Sequence, residues 1–184
     1  MKPIFIEFKF CNKDCLAIYE YNETLKSLIF KYKGCKDFEL KDCFIKPYKN
    51  ELKILYKGYE IVPIPSYFLD DEKRGFNHVF SMYECLNLKM NCCLEKIENI
   101  NQHNLTYLKR IKSNNYRLKN EHDLKNKKIL IVDDVMTTGN TLKSCIELIE
   151  AEHPKKIKVL VLSKRILSKE EELKIEKLKN ISQT

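Results

Sequence analysis

Residues 129–142, ILIVDDVMTTGNTL, place two carboxylates directly after an aliphatic run and follow them with small hydroxyl residues and a glycine. Adjacent carboxylates such as Asp133 and Asp134 repel each other and resist burial. At the carboxyl end of a buried strand, however, they can accept hydrogen bonds from a polyol. The segment therefore indicates a site for a ligand with neighbouring hydroxyl groups.

The residues that follow the acids are suited to hold an anion. Main-chain N–H groups can wrap a phosphate, a glycine permits the tight turn, and the helix predicted to start near Thr141 adds its positive N-terminal end. The residues predicted to bind a 5-phosphate are Met136, Thr137, Thr138, Gly139, Asn140 and Thr141. A diol beside a phosphate describes a ribose 5-phosphate.

Three alternative kinds of site account for less of this segment. A Walker loop would need G-K-[ST], which does not follow. An acidic turn with an N-cap does not need all of these residues together. A receiver-type phosphoacceptor site leaves the glycine and the threonines unexplained.

Alternating strands and helices must position the segment. Apolar runs and spacings predict strands at 16–21, 59–64, 129–133 and 157–162, and helices at 23–33, 48–56, 77–90, 141–151 and 167–178. This alternation favours an α/β fold with a parallel sheet, and the continuous aliphatic strands agree because such a sheet is covered on both faces. Ligands bind at the carboxyl ends of its strands. Gly34 is expected at the C′ position that ends the first helix.

Length and composition suit one globular domain. The chain has 184 residues, of which 43% are hydrophobic and 33% charged, as is ordinary for a globular protein. Its aliphatic runs are too short to span a bilayer, and its start lacks the apolar stretch of a signal peptide. We therefore expect a cytoplasmic protein that does not span a membrane.

Eight cysteines are present, and disulfides are not expected in a cytosolic chain. Cys11 and Cys15 have a C-x3-C spacing that zinc allows, but no second tight pair follows. Free thiols are the main expectation, and zinc binding by this pair stays open.

The basic residues are concentrated. Between Gln102 and Lys128 there are eight Lys or Arg residues against two acidic ones, Glu121 and Asp123. The stretch is either a solvated surface loop or a surface for phosphates or a nucleic-acid backbone. In the second case its cations would neutralise a single strand and its tyrosines would stack unpaired bases. The residues predicted to do so are Tyr107, Lys109, Arg110, Lys112, Tyr116 and Arg117.

The segment ILIVDDVMTTGNT resembles the 5-phosphoribosyl-1-pyrophosphate (PRPP) binding motif of type I phosphoribosyltransferases. The resemblance implies a parallel sheet flanked by helices, with a small hood region. It also implies that Asp133 and Asp134 bind the ribose 2- and 3-hydroxyls and that the loop from Met136 to Thr141 binds the 5-phosphate. Mg²⁺ would arrive with PRPP, carried mainly by pyrophosphate and ribose oxygens, with no direct protein ligand.

A second segment, IVPIPSYFLDDEKRGFNHV, resembles the ComF family of competence proteins, as does ETLKSLIFKYKG upstream. The similarity covers about residues 16–165. It implies that Arg74 and Gly75 belong to a pyrophosphate loop, where the cation neutralises the leaving group and the glycine lets the main chain approach. ComF proteins usually begin with two cysteine pairs, whereas this chain keeps only Cys11 and Cys15.

These resemblances divide the chain into three parts. Residues 1–15 are interpreted as a remnant of a cysteine-rich segment. Residues 16–165 form the phosphoribosyltransferase-like domain, with its hood at about 93–128. Residues 166–184 form a charged C-terminal helix or tail.

The function implied is that of a PRPP-binding protein that handles incoming single-stranded DNA during natural transformation, with DNA-uptake proteins at the inner face of the membrane as further partners. Two alternatives remain open: a nucleobase phosphoribosyltransferase of purine or pyrimidine salvage, and a regulator that senses PRPP without chemistry. The hood shows no base-recognition signature, so the acceptor and the catalytic residues are unknown.

Overall fold

The computed structural model describes residues 2–66, 68–97, 116–119 and 123–165. The strands are β1 Ile6–Phe10, β2 Lys13–Glu20, β3 Tyr59–Pro63, β4 Leu94–Lys96, β5 Tyr116–Leu118, β6 Lys128–Met136 and β7 Lys156–Lys164. The α-helices are α1 Glu23–Gly34, α2 Lys49–Leu55, α3 Phe68–Arg74, α4 His78–Tyr83 and α5 Asn140–Glu150. Short 3-10 helices occupy Phe38–Cys43, Lys46–Tyr48 and Glu84–Leu86. Within these ranges, every helix is too short or too polar to cross a lipid bilayer.

The central sheet has the strand order β1-β2-β7-β6-β3, and a separate two-stranded sheet joins β4 to β5. β2, β7, β6 and β3 run parallel, and only β1 is antiparallel to its neighbour. The predicted parallel sheet flanked by helices is thereby confirmed. The aliphatic runs of β6 and β7 fit this position because both strands are covered on both faces.

The two faces of the sheet carry separate cores. We call them the α1 face and the α5 face. On the α1 face, α1, α2 and α4 cover Leu130, Val132, Leu160 and Leu162. On the α5 face, the buried side of α5 and Tyr116 of β5 cover Ile129, Ile131, Val159 and Val161. Because successive residues of a strand point to opposite faces, neighbouring side chains of β6 enter different cores.

Several predicted bounds need correction. β6 does not end at Asp133 but runs to Met136, because β7 continues to pair with it as far as Lys164. The predicted helix 77–90 is only α4 and a 3-10 turn, which stop at left-handed Asn87 (φ 50°). Gly34 is the last residue of α1, not its left-handed C′ residue. That conformation falls on Lys36 (φ 60°). The helix predicted at 167–178 lies outside the described residues.

The N-terminal residues form an edge hairpin of the sheet. β1 pairs with β2 across a turn in which Cys11 and Asn12 are both left-handed. The domain boundary predicted after residue 15 falls inside β2, which pairs with β7 from Asp14 onward. Residues 6–15 thus belong structurally to the sheet.

This hairpin reaches the loop between β6 and α5. Gly139 is left-handed (φ 77°), and a Cβ atom added to it would lie 2.5 Å from Cζ of Phe10 and 2.9 Å from Cε of Met136. Two constraints therefore select glycine here: the backbone conformation and the close approach of the aromatic ring.

Replacing Gly139 by alanine tests both constraints. The left-handed conformation costs an L-residue about 1–2 kcal/mol, and crowding against Phe10 adds about 1–3 kcal/mol. The matched control is Gly58→Ala, because Gly58 has a similar φ of 80° but nothing within 4 Å of an added Cβ. Urea unfolding should show a larger loss for Gly139→Ala, and Phe10→Ala in the same chain should recover part of it. Equal losses at the two glycines would refute the contact.

Candidate functional site

The two acids lie in the last part of β6, which extends beyond the residues that pair with β3. β3 pairs with β6 only as far as Val132, whose carbonyl also accepts the N–H of Ile64 at 2.9 Å. β7 pairs with β6 beyond that point. Asp133 and Asp134 therefore have a paired strand, β7, on one side, whereas β3 no longer pairs with β6 on the other side. The acids are therefore held within strand β6.

Asp134 points to the α1 face and is only 6% exposed. Its Oδ2 forms an ion pair with the ammonium of Lys33 at the end of α1 and lies 3.6 Å from Nε2 of His78 in α4. Its Oδ1 accepts the N–H of Val135 at 2.7 Å. Burial acts to raise the pKa of Asp134, but His78 and Lys33 outweigh it and hold that pKa well below its usual value.

Asp133 is partly exposed, and the alternation of the strand places it on the face opposite Asp134. Its Oδ1 accepts the N–H of Asp134 at 2.9 Å, and its charge acts on Tyr116 and Cys145 of the α5 face and on Tyr83 of α4. Burial and the adjacent Asp134 carboxylate raise the pKa of Asp133 well above its usual value. The two acids thus differ in surroundings, partners and direction of pKa shift.

The loop after the acids is the segment predicted to hold an anion. Thr137, Thr138 and Asn140 are exposed, and Gly139 makes the left-handed turn into α5. No side chain caps the N-terminus of α5, while the N–H of Lys143 bonds the carbonyl of Gly139 at 2.8 Å. The first N–H groups of a helix have no partner within it and attract anions.

Met136 and Thr141 frame this loop. Met136 is 6% exposed, and its carbonyl accepts the N–H of Arg165 at 2.9 Å, so only its main chain suits an anion site. Thr141 interacts with Tyr116. Burial raises the pKa of Tyr116 to about 12, and the interaction with Thr141 opposes that shift.

The segment predicted as a pyrophosphate loop is largely helical, as α3. Arg74 is turned inward: its Nε donates to the Lys33 carbonyl at 3.2 Å and its Nη1 donates to Oδ1 of Asp71 at 2.9 Å. Gly75 ends α3 with a left-handed φ of 86°, and an added Cβ would meet nothing within 4 Å. A glycine is favoured at position 75 because of its left-handed backbone conformation, and not because neighbouring atoms pack closely against it.

Asp71 organises this segment. It accepts hydrogen bonds from Ser66, from Arg74 and, at 2.8 Å, from Nδ2 of Asn77. Oδ1 of Asn77 in turn accepts the N–H of Phe80 at 2.8 Å and caps α4. The arginine and asparagine of the RGFN sequence therefore both hold the start of α4 in place.

A cavity of about 380 Å³ lies between this segment and the β4–β5 sheet. Its lining includes Ser66, Asp71 and Asn77 from one side and Leu94 and Lys96 from the other. A mixed apolar and polar lining suits a small organic molecule.

Three residues of this region were not identified by sequence reasoning: Lys33, Asp71 and His78. Lys33 and His78 meet Asp134 from elements distant in sequence, and Asp71 is one acid among several neighbours. Ion pairs between segments far apart in the chain leave no recognisable pattern of spacing in the sequence.

Most of the predicted nucleic-acid residues, namely Tyr107, Lys109, Arg110 and Lys112, lie outside the described residues. Arg117 in β5 forms an ion pair with Glu95 in β4, and its side chain is 66% exposed. Tyr116 is only 7% exposed because it packs into the core of the α5 face. Base stacking by Tyr116 stays a prediction, and it would require the ring to leave this core.

Metal ligands do not cluster among the residues that the structure describes: no three His, Cys, Asp or Glu side chains converge there. Cys11 is exposed, whereas Cys15 is buried in β2. Burial raises the pKa of the Cys15 thiol to about 11, which disfavours the thiolate that zinc binds.

Comparison with known proteins agrees with this geometry. Residues 94–183 match the model of the phosphoribosyl transferase domain. The chain is 32% identical over 147 residues to the competence protein ComFC of Streptococcus pneumoniae, covering 79% of this chain and 66% of that one. It is 27% identical over 128 residues to the competence protein ComFC of Bacillus subtilis, covering 68% and 53%. The chain thus spans about half to two thirds of these relatives.

Similar solved structures include a hypoxanthine phosphoribosyltransferase from Staphylococcus aureus, with 14% identity, a TM-score of 0.44, and coverage of 71% of this chain and 76% of that one. A purine phosphoribosyltransferase from Pyrococcus horikoshii has 20% identity, a TM-score of 0.42, and coverage of 67% and 73%. From its sheet, its matched domain and its relatives, the chain belongs to the ComF family of phosphoribosyltransferase-like proteins.

Proposed function

We propose that this protein binds PRPP with Mg²⁺ and acts in the cytosol on incoming single-stranded DNA during DNA uptake. One observation carries the proposal. The acid pair near the end of β6 is followed by a short loop, and the helix after that loop, α5, begins without a capping side chain. The groups proposed to bind the diol and the anion thus lie a few residues apart.

In this proposal the hydroxyls of ribose donate hydrogen bonds to the acid pair Asp133 and Asp134. The 5-phosphate lies against the main-chain N–H groups of residues 136–141, and the exposed hydroxyls of Thr137 and Thr138 add donors. The N-terminal end of α5 favours the negative charge.

The pyrophosphate of PRPP is assigned to Arg74 and Gly75. Arg74 is paired with Asp71 here, so it would exchange that carboxylate for the ligand. A guanidinium suits this role because its planar N–H groups match phosphate oxygens.

The magnesium ion would arrive with PRPP on pyrophosphate and ribose oxygens. The positive charge of the ion would neutralise the negative charge of the pyrophosphate.

Whether transfer occurs is decided by measuring pyrophosphate release from PRPP, with purine and pyrimidine bases and with single-stranded DNA as possible acceptors. The cavity beside α3 and the β4–β5 sheet is the candidate acceptor site. Release of pyrophosphate in the presence of a free base would instead identify the protein as a nucleobase salvage enzyme. PRPP binding without release, together with PRPP-dependent binding of DNA or protein, would identify a sensor.

Replacing both Asp133 and Asp134 by asparagine should weaken PRPP binding. Each lost hydrogen bond to a charged group costs about 1.5–3 kcal/mol. Calorimetry with Mg²⁺ and PRPP measures the loss, and thermal unfolding checks that the variant is folded. Asp37→Asn, at an exposed acid far along the chain from β6, is the matched control. Unchanged affinity in the folded double variant would refute the ribose assignment.

Single-stranded DNA should bind weakly and lose affinity steeply with salt, because binding releases counterions. Replacing Lys109, Arg110, Lys112 and Arg117 by alanine should weaken binding and flatten the salt slope, with less effect on PRPP affinity. Fluorescence anisotropy measures DNA binding, and calorimetry measures PRPP binding.

The control for that experiment removes the same charge elsewhere, from the exposed residues Lys31, Lys49, Lys53 and Lys57. Equal losses in the two variants would mean that net charge alone binds DNA. No detectable binding at low salt, in protein that binds PRPP, would reject DNA handling by this surface.

A further inference from the structure

The strand β1 leaves one edge of the central sheet open. β2 pairs with its inner side, and no strand of the described residues pairs with its outer side. The opposite edge of the sheet is covered, because the N–H of Ile61 in β3 bonds the carbonyl of Lys89 at 2.8 Å and the carbonyl of Ile61 accepts the N–H of Asn91 at 2.7 Å. An open edge presents main-chain N–H and C=O groups to any further strand.

The turn between β1 and β2 decides which main-chain groups of β1 face outward. Its two residues are both left-handed (φ 47° and 58°), as in the tight turns that join hairpin strands. The pair that flanks such a turn, Phe10 and Lys13, exchanges both of its hydrogen bonds, and the pattern alternates along the strands. The N–H and C=O groups of Phe8 therefore point to β2, whereas those of Glu7 and Lys9 point to the open edge.

The side chains of β1 alternate in character. Ile6, Phe8 and Phe10 are partly buried and pack against the core of the α5 face. Glu7 and Lys9 lie on the opposite face and are exposed. The strand thus has an apolar residue at each end and at its centre, with one acid and one base between them. A strand of this kind is complementary to itself in an antiparallel arrangement.

We propose that β1 pairs antiparallel with β1 of a second copy of this chain, with Phe8 on the two-fold axis, so that the two sheets become one continuous sheet. Glu7 of each copy then lies opposite Lys9 of the other copy. Each such pair exchanges both N–H···O bonds, because both members have outward main-chain groups. The two copies use the same surface, as a closed two-fold dimer requires. The inference goes beyond the proposed function and does not depend on it.

The charges of β1 select this register. A shift of one residue would set an outward main-chain group of one copy against an inward group of the other, so only alternate registers can form hydrogen bonds. With Glu7 on the axis, two glutamates would lie opposite each other, and with Lys9 on the axis two lysines would. Like charges in opposite positions are destabilising, so only the register centred on Phe8 is favoured. Charged residues usually protect a sheet edge from pairing, but here they exclude the wrong registers and support one.

Glu7 has no ion-pair partner in the described part of its own chain. It lies opposite Leu16 of β2, whereas Lys9 lies opposite Asp14 and forms an ion pair with it. Asp14 in turn lies beside Lys158 of β7. In the dimer, Glu7 of the second copy takes the place next to Lys9. The alternation of charges across the sheet then continues from one copy into the other.

The α1 face is also uncovered beside this edge. A cavity of about 480 Å³ lies over β1 and β2 at the end of α2, and its lining includes Glu7, Lys9 and Leu55. Leu55 is 51% exposed, and the neighbouring Ile54 is 77% exposed. A second copy that continues the sheet past β1 would border this cavity. The dimer can therefore bury apolar surface in addition to forming main-chain hydrogen bonds.

Sedimentation equilibrium of the ligand-free chain over a range of concentrations tests the association. The buffer must be reducing, because Cys11 in the turn after β1 is exposed. A monomer–dimer equilibrium is expected. Glu7→Lys and Lys9→Glu should each raise the dissociation constant of the dimer about tenfold, because symmetry makes each change act twice. The matched controls are Glu39→Lys and Lys31→Glu, at exposed charges of other elements, and they should leave the constant unchanged.

A mixture of the two β1 variants tests the register. Glu7→Lys has two lysines at these positions and Lys9→Glu has two glutamates, so each variant repels itself but matches the other. The mixture should form a heterodimer, and the chain with both changes should associate as the unaltered chain does. Thermal unfolding checks that every variant is folded. Folded variants that do not associate when mixed would refute the register.

Amide hydrogen exchange tests whether β1 is the interface. The N–H groups of Glu7 and Lys9 should be protected at concentrations at which the dimer forms, and they should exchange rapidly after dilution to the monomer. The N–H groups of Phe8 and Phe10 should be protected in both states, because they bond to β2.

Three further results would overturn the inference. A chain that stays monomeric at every concentration forms no such dimer. A dimer in which the N–H groups of Glu7 and Lys9 exchange rapidly uses another surface. Protection of these two groups in the monomer would mean that another segment of the same chain occupies the edge. Each of these results leaves PRPP binding to be decided by its own experiments.

Discussion

Two carboxylates on consecutive residues of a buried strand repel each other, so they must point apart or have their charge neutralised. The site depends on how β6 and its neighbours achieve both. The alternation of a strand sends Asp133 and Asp134 to opposite faces. The ammonium of Lys33 then compensates the more buried acid. A buried ion pair of this kind adds little net stability, because desolvation offsets attraction, but the loss of either partner is costly. The C-terminal turn of α1 is therefore tied to the central strand by charge as well as by packing.

The surrounding elements keep that strand rigid. β7 pairs with β6 past both acids, and the hydroxyl of the buried Tyr83 in α4 donates to the Asp133 carbonyl at 2.8 Å. The same helix brings His78 to Asp134. Support thus comes from one strand and two helices, while the anion loop itself carries exposed, short side chains. A rigid frame under an open loop is the usual arrangement for binding residues.

The sequence was informative where chemistry and local periodicity coincide. The aliphatic run before Asp133, the glycine at 139 and the helix after it all follow local rules, and the sheet was predictable from them. The ion pair of Lys33 with Asp134 and the inward turn of Arg74 were not, because both join segments far apart in the chain. Tyr116 shows the same limit: an aromatic residue in a basic stretch suggests base stacking, yet its strand directs it into the core.

The strand β2 can complete its pairing only late in the synthesis of the chain. β2 pairs with β7, so Asp14 lies beside Lys158 and Glu20 beside Lys164. Contacts between such distant residues form late, because a long loop must close before they can stabilise anything. On the ribosome, the edge hairpin must therefore wait, with one side of β2 unpaired, until residue 164 has emerged. The apolar Cys15–Tyr19 stretch lacks the β7 partner throughout that interval.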